Sequence, residues 1–107
     1  MEELEISLMQ IISYSGEARS LCFEALQSYR DGDKEAGRKQ YKDAEENLYT
    51  AKRAHSRILK QSANGEFDQI SLLMVHAEDQ MMASEIIYQM TRELFHCMSE
   101  TKDDTSC

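Results

Sequence analysis

Apolar residues recur at steps of three and four along almost the whole chain, a spacing that predicts helices and no strands. From about Glu2 to Tyr29 the repeating positions are Leu4, Leu8, Ile11, Ile12, Ala18, Cys22, Ala25, Leu26 and Tyr29. Asp31-Gly32-Asp33 then breaks the pattern. Glycine suits a helix C-terminus, and Asp33 is placed to cap the next helix. That second helix is predicted from about Lys34 to Gln61, with Ala36, Tyr41, Ala44, Leu48, Ala51, Ala54, His55, Ile58 and Leu59 facing inward. Ser62-Ala63-Asn64-Gly65 forms the next break, where Asn-Gly is a strong turn signal. A third helix is predicted from about Gln69 to Glu100, with Asp68 as the expected cap. Long helices joined by such short breaks must run antiparallel. The expected fold is all-α: an up-down-up three-helix bundle forming a single domain over residues 1–100, then a flexible polar tail at 101–107.

The third helix carries more apolar surface than one bundle can bury. Ser71, Glu78, Glu85, Arg92 and Ser99 repeat every seven residues and read as its solvated stripe, with Gln89, Glu93 and His96 beside it. Leu73, Met74, Ala77, Met81, Tyr88, Phe95 and Met98 form one apolar face, and Leu72, Ala83, Ile86, Ile87, Met90 and Leu94 another. Together they cover about two thirds of the circumference, against the roughly 100° that a surface helix needs. The second face predicts an oligomer with closed symmetry, built through this helix. His76, Asp79 and Gln80 interrupt that face at spacings i, i+3 and i+4, which place them on one side of the helix.

Composition narrows the functional classes. Acidic residues outnumber basic ones 20 to 12, for a net charge of -8. Such a surface repels nucleic acid and suits a basic protein partner. No apolar run approaches the roughly 20 residues that span a bilayer, and the acidic Met1-Glu2-Glu3-Leu4-Glu5 start argues against a secretory signal. A cytoplasmic protein is expected. Cys22, Cys97 and Cys107 are far apart and not spaced as metal pairs, so Cys22 and Cys97 read as core or semi-core residues.

His76 has two readings from the pattern: an interfacial histidine satisfied by a neighbour, or a nucleophile. A neutral imidazole can attack phosphorus, and a carrier needs little beyond an accessible ring nitrogen and a cavity that a donor protein can cover. Asp79 reads either as a residue that disfavours wrong pairings or caps the helix or, if third helices meet around an axis, as one of several converging carboxylates. Such carboxylates repel unless protonated or bound to a cation such as Mg²⁺. Glu78 reads as solvated, and His55 as a satisfied core histidine. His96 is assigned no chemistry. There is no phosphate-cradling glycine loop, and the second helix supplies no Glu-x-x-His to face one on the third, as carboxylate metal bundles require.

The segment Leu72-Leu73-Met74-Val75-His76-Ala77-Glu78-Asp79-Gln80-Met81-Met82 resembles the enzyme IIA component of the lactose/cellobiose (chitobiose) branch of the bacterial sugar phosphotransferase system. Gly16-Glu17-Ala18-Arg19-Ser20, Glu24-Ala25-Leu26 and Ala54-His55-Ser56 extend the resemblance over the chain up to Glu100. It implies a homotrimer of three-helix subunits with His76 as the phosphate acceptor. It places Asp79 near the three-fold axis as a metal ligand, with Mg²⁺ as the implied ion. The histidine-phosphocarrier protein would be the donor and a cysteine of enzyme IIB the acceptor, in uptake of cellobiose, chitobiose or lactose. The family's glutamine two residues after the active histidine is Glu78 here, and its second histidine is Gln80, a hydrogen-bond partner for the His76 ring. A carboxylate at Glu78 would repel a phosphoryl group brought near it by a neighbouring subunit. A non-catalytic regulatory or scaffolding bundle is the rival reading.

Overall fold

The computed structural model describes residues 2–100, the side chain of Glu100 excepted. The tail expected at 101–107, with Cys107, lies outside the described residues. The described residues form three helices: α1 (Glu3–Arg30), α2 (Lys34–Ala63) and α3 (Leu72–Glu100). They run up, down and up as an elongated bundle.

Both helix breaks are closed by the same device. Gly32 at φ 92° and Gly65 at φ 74° take the left-handed conformation that other residues adopt only at a cost. Asp33 N–H then donates to Ser28 O (2.9 Å) and Glu66 N–H to Gln61 O (3.0 Å), which satisfies carbonyls left over at each helix end. Asp33 Oδ1 accepts from Ala36 N–H at 3.1 Å and starts α2 as expected. α3 starts three residues later than its sequence suggests. Ser71, not Asp68, is the cap: its hydroxyl accepts from Met74 N–H at 3.2 Å.

The core forms two apolar clusters along the bundle. Leu8, Ile11, Ala54, Ile58, Ala77 and Met81 make the one at the His76 end. Ala18, Cys22, Ala44, Leu48 and Tyr88 make the other. Between α1 and α3 lie buried small polar residues that periodicity does not reveal. Ser84 Oγ donates to Ser15 O (2.8 Å) and accepts from Arg19 Nη1 (3.1 Å), while Thr91 donates to Ile87 O (2.7 Å). Cys22 is fully buried, and burial raises its thiol pKa against a hydrogen bond with Thr91. Cys97 is half-buried and has a bonding partner, so it is more than packing.

The stripe read as solvated is the seam between α3 and α2. Lys52 Nζ lies 2.9 Å from Glu85 Oε1, and His55 Nε2 lies 2.5 Å from Glu78 Oε2. Tyr88 donates its hydroxyl proton to Glu45 (2.9 Å), and Tyr41 donates to the Tyr88 carbonyl (3.3 Å). The Arg92 guanidinium sits over the Tyr88 ring, 5.5 Å from its centroid. Ser99 meets the Tyr29 hydroxyl across the α1–α3 seam. Both seams of α3 thus combine apolar packing with polar bonds, and the two ion pairs lie on the α2 side.

Candidate phosphoryl-acceptor site

His76 lies in the second turn of α3, a stretch that starts cleanly because Ser71 caps it. The first apolar face of α3 points inward as predicted: Ala77, Met81 and Tyr88 are buried. That fixes the opposite side. Leu72 (84% exposed), Val75, Met82, Ile86 (58%), Met90 (55%) and Leu94 form an exposed apolar strip, and Ala83 lies on it too. Ile87, assigned to that second face, is half-buried instead, packed against the cluster that holds Ala18, Cys22 and Tyr88. His76 and Asp79 are exposed on the strip, and Gln80 is half-buried at its edge. The three predicted site residues thus share one side of α3, as their spacing requires.

The hydrogen bonds of this turn go to other groups. His55, with 13% of its side chain exposed, engages Glu78, so it is the satisfied histidine that its position suggests. Facing a carboxylate, which only accepts, Nε2 carries the proton. Glu78 is not simply solvated; it is tied to α2. Two residues turn a helix by about 200°, so Glu78 and His76 lie on opposite flanks of α3. Within one chain the Glu78 carboxylate is directed away from any phosphoryl group on His76. The signal for this pair is present in the sequence, as Lys52 and His55 on α2 match Glu85 and Glu78 on α3 in antiparallel order.

A groove of about 310 Å³ opens beside this bond, lined by Leu8 and Ile11 of α1, by His55 and Leu59 of α2, and by Val75 and Asp79 of α3. A larger groove of about 600 Å³ lies further along the α2–α3 seam, where Lys52, Glu85, Tyr88 and Arg92 already satisfy one another. Among the described residues, no group of three or more His, Cys, Asp or Glu side chains is placed to hold a metal ion. The carboxylate of Asp79 belongs to no such group, so a single chain does not fit the implied Mg²⁺; only carboxylates brought by further copies would complete a site. None of the described helices is long and apolar enough to cross a membrane.

Residues 6–99 match the profile of the PTS system, lactose/cellobiose-specific IIA subunit. The chain belongs to this enzyme IIA family. It is 37% identical over 93 residues to the lichenan-specific phosphotransferase enzyme IIA component of Bacillus subtilis (strain 168), covering 87% of this chain and 84% of that one. The crystal structure of the cellobiose-specific enzyme IIA from Bacillus anthracis superposes with a TM-score of 0.81 at 30% identity, over 87% of this chain and 85% of that one. The solution structure of a IIA(chitobiose)–HPr complex of the N,N'-diacetylchitobiose system matches with a TM-score of 0.82 at 28% identity, over 96% of this chain and all of that one. The all-α three-helix fold of this enzyme IIA is shared with both structures.

Proposed function

We propose that this enzyme IIA carries a phosphoryl group on His76. One observation carries the reading: a solvent-exposed imidazole is set on a rigid helix, in an otherwise apolar strip that other proteins can cover. A ring nitrogen of His76 attacks the phosphorus of the donor's phosphohistidine. A new P–N bond forms as the donor's P–N bond breaks, and the donor imidazole leaves with the bonding electrons. In the second transfer a cysteine thiolate of enzyme IIB attacks, forming a P–S bond as the P–N bond at His76 breaks. Gln80, one turn along on the same side of α3, would hydrogen-bond the ring or its phosphoryl group.

The donor in this reading is the histidine-phosphocarrier protein, and the IIA(chitobiose)–HPr complex supports it. The cargo is a β-linked disaccharide such as cellobiose or chitobiose, or else lactose. Relatives specific for lichenan, N,N'-diacetylchitobiose and lactose support that class. Three copies packed by their α3 strips would bury the exposed apolar residues and bring three Asp79 carboxylates to one axis. A cation such as Mg²⁺ would neutralise them there. The protein works in the cytoplasm, on the face of the membrane where phosphoenolpyruvate is supplied.

Incubation with the donor enzymes and radiolabelled phosphoenolpyruvate tests this. An acid-labile label is expected on the wild type and none on His76→Ala. An unlabelled wild type, or equal labelling of the variant, would sink the proposal and favour a scaffolding bundle.

A further inference from the structure

The rotation of α3 about its own axis needs an explanation. A surface helix is normally oriented by a single apolar stripe. α3 is apolar on both its inner and its outer side; next to His76 the small Ala77 is buried in the cluster with Ala54 and Ile58, and Leu73 and Met74 pack against that cluster from positions only partly buried. Apolar contact of this kind keeps a helix in the bundle but specifies its orientation weakly. Polar bonds with one workable geometry specify it more sharply. On the flank facing α2 the first such bond is Glu78 to His55, and the next, Glu85 to Lys52, comes two turns later. Leu73, Met74 and Ala77 hold the first turns of α3 in the bundle, and among the angles that such packing allows the first bond selects one. The groove beside it leaves room for those turns to shift. Because Glu78 and His76 lie on opposite flanks, holding Glu78 against α2 aims the His76 ring at the exposed strip.

We infer that His55 and Glu78 are positioning residues for phosphoryl transfer, their bond across the α2–α3 seam setting the angle at which α3 presents His76 to a donor. The inference builds on the phosphocarrier reading of His76. Neither residue touches the phosphoryl group of its own chain; both act through the helix. Glutamine at position 78 would keep an acceptor for His55 Nε2–H, so the requirement is for an acceptor and not for charge.

The test measures phosphoryl transfer from the phosphorylated donor protein over a range of donor concentrations. It compares the wild type with Glu78→Gln, Glu78→Ala, His55→Ala and the double alanine variant, and follows the His76 ring resonances of each by NMR. Glu78→Gln is expected to keep the wild-type rate and ring signals. Each alanine variant should lose about tenfold or more in maximal rate, since small misplacements of a reacting group are costly. The donor concentration for half-maximal rate should stay unchanged. The double variant should lose no more than the worse single one, because both break the same bond. Should Glu78→Ala unfold at the assay temperature, Glu78→Leu keeps the bulk without the acceptor and reads the same bond. Undiminished rates, additive losses, a Glu78→Gln as slow as the alanine variants, or unmoved His76 signals would each overturn the inference. If the wild type itself takes no label, the phosphocarrier reading fails, and the ring resonances alone decide whether the bond orients His76.

Discussion

Tyr88 of α3 stacks on Tyr41 of α2 with ring centroids 4.7 Å apart and planes 6° apart, and it donates its hydroxyl proton to Glu45. Burial, reinforced by Tyr41 and Glu45, holds the Tyr88 phenol well above its ordinary value of 10.0. The unfolded chain therefore gives up this proton first. Above that ordinary value the unfolded state binds fewer protons than the folded one, so stability falls as pH rises. The contribution is complete below about pH 10 and is lost beyond it. Tyr88→Phe is expected to flatten the alkaline arm of the urea midpoint plotted against pH, and to cost about 1 kcal/mol at neutral pH through the lost bond to Glu45. An equally steep alkaline arm in the variant would contradict this.

Two helix-interior glycines should respond to alanine in opposite directions. A Cβ at Gly37 would lie 3.0 Å from the Ala25 carbonyl oxygen and 3.3 Å from Tyr29, where α1 and α2 approach closely. A backbone oxygen cannot swing aside, so Gly37→Ala should destabilise by about 1–3 kcal/mol despite the better helix propensity. At Gly16 the nearest atom is Arg19 Nη2 at 3.8 Å, an ordinary contact distance. Gly16→Ala should stabilise by up to about 1 kcal/mol. Thermal melts of both variants check the pair, and a shared sign would show that packing at Gly37 has been misjudged.

Ile86 sits near the middle of the exposed strip of α3, away from the intrachain core. Ile86→Asp leaves that core untouched but sets a charge where copies of the chain would meet. The wild type should sediment as a trimer and the variant as a monomer with unchanged helix content by circular dichroism. A monomeric wild type at micromolar concentration would remove the case for the assembly.

In the proposed assembly three Asp79 carboxylates would gather at one axis. Carboxylates gathered at one axis repel, and a divalent ion relieves that repulsion. Mg²⁺ should raise the melting temperature of the wild type and a chelator should lower it. Asp79→Asn should abolish both responses. A wild type that melts identically in either condition speaks against an axial ion.

The architecture is legible in the sequence because its strongest signals are local. Gly32 and Gly65 need the left-handed conformation, and both helix breaks fall there. The outer face of α3 is legible too, and Ile86 and Met90 on it are exposed among the described residues. The polar seam is not. A seven-residue repeat of Glu78, Glu85 and Arg92 looks the same whether it meets water or a neighbouring helix, and only the register with α2 separates the two. Ser84 and Thr91 are hidden for a related reason: their hydroxyls are satisfied by backbone carbonyls, so a polar residue sits at a core position without a visible partner in the sequence. The start of α3 is ambiguous because Asp68 and Ser71 are both good caps, and the choice between them depends on how the connection folds.

An odd number of helices puts the start of α1 and the end of α3 at opposite poles. The start of α1 shares the pole of His76, where Leu8 and Ala77 join one cluster. Ser99 lies 23 residues beyond His76 along α3, about 35 Å away at the usual helical rise. A fluorophore, affinity handle or entire second protein joined after α3 would leave the imidazole open to visitors, whereas the same addition before α1 would crowd it.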